Sequence, residues 1–316
     1  PPPMPNLVRN SFILARSEGA NYGVDAIAAQ PSGSRPANAV RVISIDLNPL
    51  TGDRVQRQNL QGFLGARKSM LARDHVAITI TLELGGSGTA GVAPRFSPLL
   101  TSCGLAETTS SAVTGTSTAF VANTSITLAA SASAVDNFYA GQIITLTSGA
   151  NSGQSAPIIA YNGTTKVASV FPGLGQFVPT ASCTYSIDAN VMYTPISQID
   201  GVSNTSATIY AVKDQNLHII RGFRGSLQLG GELNGYPTAT ITGVGRYTTP
   251  TASTGVTASF GAQAEPDLFE FDSVGPVSVM GYGQACVSSF QFDLGNAVNF
   301  RNLVNCVQQT IIGDRV

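Results

Sequence analysis

Apolar residues along this chain recur mostly with a period of two, the signature of strands rather than helices. The stretches "AVRVISIDL" (39–47), "HVAITITLEL" (75–84), "SATIYAV" (206–212), "LHIIRGFRGSLQL" (217–229), "YPTATITGVGRY" (236–247) and "CVSSFQFDL" (286–294) alternate or nearly alternate. Each is rich in β-branched residues and predicts a strand. Helical periodicity is almost absent. One short helix is expected where Ser97 can cap, Pro98 can take the first helical position, "LLTSC" follows and Gly104 ends the run. The pattern predicts an all-β protein with one or two short helices.

The composition changes between residues 108 and 190, where only Asp136, Lys166 and Asp188 are charged and Ser and Thr abound. Strand signals persist there in "GQIITLTS", "APIIAYNG", "KVASVFP" and "CTYSI", and Asn162-Gly163 marks a hairpin. Residues 109–189 are therefore expected to form a small β-module inserted into a discontinuous main domain, 1–108 and 190–316.

At 316 residues the chain can bury a substantial core. Charged residues make up 11%, against about 25% in ordinary globular domains, which suggests a surface largely covered by other subunits. A net charge of −1 gives no global basic field to hold nucleic acid. The N-terminal "PPPMPNLVRN" lacks the charged start and apolar core of a signal peptide. No apolar run approaches the roughly 18 residues that span a bilayer, so no membrane partner is expected. The cysteines Cys103, Cys183, Cys286 and Cys306 lie far apart without a C-x-x-C pair, and are expected to be buried free thiols of a protein made in a reducing cytoplasm.

Candidate chemistry is sparse. Gly86-x-Gly88-x-x-Gly91 after a strand has the spacing of a dinucleotide fingerprint, but such a site needs a helix to begin within the motif. Here "VAPRFSP" follows, with Pro94 and Pro98 removing N–H donors, so the glycines are expected to form a strap from strand to helix. "LGGSGT" misses the G-x-S-x-G elbow because Thr89 stands at the last glycine position. The two histidines, His75 and His218, sit at strand edges and are expected at the surface or an interface rather than in a triad or metal site. Glu265, Asp267, Glu270 and Asp272 cluster in "EPDLFEFD" as a solvated acidic edge or subunit contact rather than a glycosidase pair. Asn123-Thr-Ser125 and Asn162-Gly-Thr164 match glycosylation sequons, which a Ser/Thr-rich segment produces by chance. No catalytic, cofactor or metal site is expected. The basic stretch 51–73 carries Arg54, Arg57, Arg67, Lys68 and Arg73 with Phe63 as its only ring, which favours charged contacts to another subunit over stacking on bases.

The order of these segments resembles the major tail tube proteins of long-tailed bacteriophages. The likeness is carried by "ILARSEGANYGVDA" (13–26), "ELGGSGTAGVAPRFSPLLTSCGLAET" (83–108) and "MYTPIS" (192–197), then by "ATIYAVKDQNLHIIRGFRGSLQL" (207–229), "GYPTATITGVGRYTTPT" (235–251) and "SSFQFDLGNAV" (288–298). It implies a β-sandwich closing towards a barrel with one flanking helix. It also implies assembly into stacked six-fold or pseudo-six-fold rings, with DNA passing through the lumen without specific binding. Arg54, Arg57, Arg67, Lys68 and Arg73 would then reach between rings, and the helix would pack outside the lumen sheet. Implied partners are further copies of the chain and the tape-measure, terminator and distal tail proteins, in a virion tail assembled in the bacterial cytoplasm. The segment 292–316 echoes 45–67, so a trimer of duplicated units is an alternative to a hexamer. Residues 109–189 lie outside the likeness; they resemble small β-modules of phage virion proteins and are expected on the outer surface. Alternative functions are another tail ring or baseplate component, or a carbohydrate- or receptor-binding β-protein; the absence of Trp weakens the last.

Overall fold

Alternation in residues 75–84 becomes a strand with one dry face and one wet face. The computed structural model describes residues 11–57, 68–171, 176–180, 182–196, 205–261, 263–270, 287–302, 304–305 and 309–315. In chain order these build β1 (Ser11–Gly19), a 3-10 helix (Ser32–Asn38), β2 (Ala39–Val40), β3 (Ser44–Gln56), β4 (Ser69–Glu83), α1 (Ser97–Ser102) and β5 (Leu105–Ser110). Next come β6 (Val113–Thr116), β7 (Ala119–Val121), β8 (Ser125–Thr127), β9 (Ile143–Leu146), β10 (Ser155–Asn162), β11 (Val167–Val170) and β12 (Thr184–Ile187). The remainder is β13 (Asn190–Pro195), β14 (Ser206–Lys213), β15 (Asn216–Glu232), β16 (Thr238–Arg246), β17 (Thr251–Ala252), β18 (Ser289–Asp293), β19 (Asn296–Arg301) and β20 (Gln309–Arg315). The protein is all-β, as its sequence pattern predicts.

The large sheet runs β2-β1-β14-β15-β16-β4-β3 in antiparallel pairs, with β17 and β18 also pairing β15. Val76, Ile78, Ile80 and Leu82 of β4 point into a core shared with Ile241 of β16, Ile209 of β14 and Leu99 and Leu100 of α1. Their alternation follows from the pleat, which sends every second side chain to the same face. β14 is buried almost throughout because both faces are covered. Tyr210 and Val212 turn away from the α1 side and pack with Leu14, Ile27 and Ala39.

α1 corrects the expected cap by one position. Ser97 is the first helical residue and Phe96 takes the cap position without a side-chain cap hydrogen bond. The Ser97 hydroxyl donates instead to Glu107. Pro98 still lies in the first turn, where a missing N–H costs no helical hydrogen bond, and Gly104 at φ +78° ends the helix in the left-handed region.

Residues 113–187 form a second sheet with the strand path β6-β12-β9-β10-β11-β8-β7. The two terminal strands of that path, β6 and β7, are separated only by Ser117 and Thr118. The Ser117 N–H donates to Cys183 O at 2.8 Å on one edge, and the Thr118 N–H to Thr127 O at 3.2 Å on the other. The chain thus crosses from edge to edge and brings the two ends of the path together as a barrel, with no ladder between β6 and β7. Its interior holds Phe177, Tyr139, Tyr161 and Tyr185, the Tyr139 and Tyr161 rings meeting edge-on at 4.8 Å. The Asn162-Gly163 hairpin is present between β10 and β11. The Asn162 side-chain oxygen accepts from the N–H groups of Thr164 and Thr165, while Lys166 takes the left-handed conformation at φ +60°. Gly163 is required for space: a Cβ there would lie 2.2 Å from the Ala134 carbonyl oxygen.

A two-stranded ribbon leads into and out of the barrel. β5 and β13 pair from Leu105↔Pro195 to Ser110↔Asn190.

Candidate assembly surfaces

β3 and β4 outrun the sheet that supports them. β4 pairs with β16 only as far as His75↔Arg246, whereas the β3 ladder continues to Gln56↔Ser69. Among the described residues, 53–57 and 68–72 therefore form an arm with no strand beside β4 and no buried core residue of its own. Leu50, Val55, Met70 and Leu71 are 46%, 57%, 56% and 42% exposed, unusual for apolar side chains on paired strands. Arg54, Arg57 and Lys68 lie exposed on this arm, while Arg67 falls outside the described residues. Arg73 behaves differently. Its guanidinium bonds Asp53 at 3.4 Å and the Phe300 carbonyl at 3.1 Å, bracing the root of the arm against β19. His75 stands beside it, donating through Nδ1 to the Arg73 carbonyl at 2.8 Å and stacking on Phe300 at 5.1 Å.

The sheet face opposite α1 carries hydroxyls in register. Ser44, Thr81, Thr240 and Gln228 follow one another across β3, β4, β16 and β15, with Asp46, Thr79, Thr242 and Ser226 in the next row. The Thr79 and Thr242 hydroxyls approach to 3.3 Å. Asp46 is the single charge in these two rows.

At the end of the sheet away from the arm, residues 263–270 cross the strand ends. The Ala264 N–H donates to Gly86 O at 3.2 Å, and the Phe269 N–H to Gly235 O at 2.9 Å. Glu265, Asp267 and Glu270 are exposed on this crossing segment; Asp272 lies outside the described residues. Between it and the end of β4 is a cleft of about 340 Å³, lined by Leu84, Gly85, Gly86, Pro237 and residues 264–269. The Gly86-x-Gly88-x-x-Gly91 motif leaves this point as an irregular strap to α1, with Gly88 and Gly91 at φ +80° and +72°. No helix begins within it.

The most elaborate polar cluster has no local signature in the sequence. Glu18 is only 7% exposed, yet its carboxylate accepts from the Gly23 N–H at 2.6 Å, the Gly222 N–H at 2.7 Å, the Thr208 hydroxyl at 2.7 Å and the Ser206 hydroxyl. Four donors replace the water that burial removes. Nearby, Arg224 lies over the Tyr22 ring at 5.1 Å and donates to Thr310 O at 2.7 Å, while the Thr310 N–H donates to the Tyr22 hydroxyl at 2.6 Å. Burial lowers the Arg224 pKa, with Tyr22 and Glu18 opposing the shift. The cluster joins β1, β15 and β20 through buried hydrogen bonds, so its role is to hold the sheet together.

The remaining candidates are dispersed. His218 lies on β15 opposite Ala211, its pKa lowered by burial and by Lys213. Cys103 and Cys183 are buried free thiols, and burial pushes Cys103 up to about 12; Cys286 and Cys306 fall outside the described residues. Among the described residues no three His, Cys, Asp or Glu side chains are grouped to hold a metal ion, and no helix is long and apolar enough to cross a membrane. Comparison with known proteins finds no matching family model and no significantly similar curated protein.

Proposed function

We propose that the chain is a self-assembling structural protein, the subunit of a tube of stacked rings such as the tail tube of a long-tailed bacteriophage. The observation that carries this reading is the sheet face of hydroxyls and amides opposite the helix-backed core face. A wall along which DNA slides must be wetted without offering cations that pair with phosphate, since each such pair releases counterions and holds the strand. The two central rows supply hydroxyls, the Gln228 amide and the Asp46 carboxylate, and no cation. In the tube this face lines the lumen and α1 lies behind it. The outer edge of β3, unpaired among the described residues and a liability in a monomer, becomes a joint between subunits. Arg54, Arg57 and Lys68 then serve contacts between rings, with Arg73 as the brace of their arm. The barrel sits on the outside, held away by the β5–β13 ribbon, where it leaves the lumen open. Tape-measure, terminator and distal tail proteins would meet the tube at its ends and interior.

Negative-stain imaging of the purified chain tests the proposal. Hollow polymers or rings of uniform lumen are the expected result, together with weak, salt-sensitive and sequence-independent binding of free protein to duplex DNA. Compact monomers at all concentrations, or tight salt-resistant binding to one DNA sequence, would overturn it.

A further inference from the structure

We infer that the cleft at the far end of β4 receives the β3–β4 arm of a second copy of this chain. The inference rests on the tube reading and adds to it the acceptor surface. Three features of the molecule lead there. First, donor and acceptor lie at opposite ends of one strand: the arm leaves β4 before His75, and the cleft opens beyond Glu83 at Leu84–Gly86. A translation along the strand direction brings the arm of one copy to the cleft of the next. Such a head-to-tail contact does not close on itself and propagates as an open polymer.

Second, the charges are complementary. The arm and its root carry Arg54, Arg57, Lys68 and Arg73 against Asp53 and Asp74, whereas the cleft and its rim carry Glu265, Asp267, Glu270, Glu83 and Glu232. Among the described residues, Arg73–Asp53 is the only salt bridge at 4.0 Å or less, so the other charges of both surfaces are available to a partner. Opposed fields of this kind set orientation and register, because two arms or two clefts brought together repel. Third, both surfaces are partly apolar. The arm exposes Val55, Met70 and Leu71, and the cleft has Leu84, Pro237 and Leu268 in its walls. The floor at Gly85 has no room for a side chain, since a Cβ there would lie 2.7 Å from the Ala264 carbonyl oxygen.

A charge-exchange experiment on the full chain decides the matter. Variant one carries Arg54→Glu, Arg57→Glu and Lys68→Glu; variant two carries Glu265→Lys, Asp267→Lys and Glu270→Lys; variant three carries all six. Each is checked for native circular dichroism and then for polymer length by electron microscopy and sedimentation. Variants one and two are expected to lose elongation at least tenfold, and variant three to recover tubes. Recovery cannot come from misfolding, because it needs both altered surfaces at once. Where wild type forms tubes, growth that survives in variant one or two, or a variant three as defective as its parents, would overturn the inference while leaving the tube reading intact. A wild-type chain that never assembles would remove the tube reading, and this inference with it.

Discussion

In the barrel, the chain from β6 to β7 links the two ends of the strand path through the Ser117 and Thr118 hydrogen bonds; in the large sheet, among the described residues, β3 keeps an unpaired outer edge and runs on into an arm beyond the supporting strands. Their interiors differ in the same sense. The barrel encloses three tyrosines whose hydroxyls all find partners inside the module: Tyr161 donates to the Ser133 carbonyl, Tyr139 accepts from the Ser133 N–H, and Tyr185 accepts from the Ala129 N–H. The sheet draws on distant chain instead, with the Glu18 cluster joining residues from positions 18, 23, 206, 208 and 222. One unit satisfies its polar interior from nearby chain, and the other does so from distant chain while leaving the β3–β4 arm exposed. Association should therefore depend on the sheet and be indifferent to the barrel.

The largest perturbation of this contrast is removal of the barrel. Ser110 and Asn190 face each other as the last pair of the β5–β13 ribbon, so a short Gly/Ser linker can replace 111–189 without stretching the host. The shortened chain should keep the sheet's unfolding free energy to within about 1 kcal/mol, because loop closure changes only logarithmically with length. It should also polymerise with an unchanged lumen and a thinner outer wall, read by electron microscopy. A folded product that cannot polymerise would place the barrel in the interface and dissolve the contrast.

Next in size is Glu18→Ala. It strands two backbone N–H groups and two hydroxyls in a buried site, a loss of about 3–5 kcal/mol. Denaturant unfolding should show the sheet destabilised and the barrel, followed through the environment of Tyr185, unaffected. Glu18→Gln should recover part of the loss through its carbonyl oxygen. Equal destabilisation of both units would show that they unfold as one.

The two regions also differ in how far the sequence disclosed them. Residues 75–84 and 236–247 were legible because one face is dry and one wet, which writes period two directly into the chain. The alternation of residues 39–47 predicts one strand, but β2 ends at Val40 and β3 begins at Ser44. β3 then continues to Gln56 through Asn48-Pro49, which reads as a turn. Register shifts near Thr51 absorb the irregularity, and no core contact marks the residues beyond it. "CVSSFQFDL" was legible as a strand only in part: β18 spans Ser289–Asp293, and Phe290 and Phe292 remain 40% and 51% exposed. Of the basic candidates, Arg54, Arg57 and Lys68 share the arm, whereas the inward bracing by Arg73 could not be foreseen because its partner Phe300 is 227 positions away. Glu18 was illegible for the same reason: a lone acid before Gly19 looks solvated until its distant donors converge. The cap at Phe96 was missed because Ser97 is a favourable capping residue, and only the tertiary contact with Glu107 draws its hydroxyl elsewhere.

The smallest effect concerns Tyr161 and sharpens the contrast through pH. Its ring is 3% exposed, and its hydroxyl donates to the Ser133 carbonyl at 2.6 Å. Burial, reinforced by Tyr139, Tyr185 and Asp136, pushes its pKa from 10.0 up to about 12. A folded-state pKa above the unfolded one means that the unfolded chain releases the proton first. Stability from this group is therefore complete below pH 10 and drains away as pH rises towards about 12. Tyr161→Phe should cost about 1 kcal/mol at neutral pH, where only the hydrogen bond is lost. Above pH 10 the variant should lose stability less steeply than wild type, so the gap between them narrows or reverses. Parallel slopes in alkaline denaturation curves would refute a buried, protonated Tyr161. The sheet's transition should follow the same pH course in both proteins, since every partner of this hydroxyl lies within the barrel.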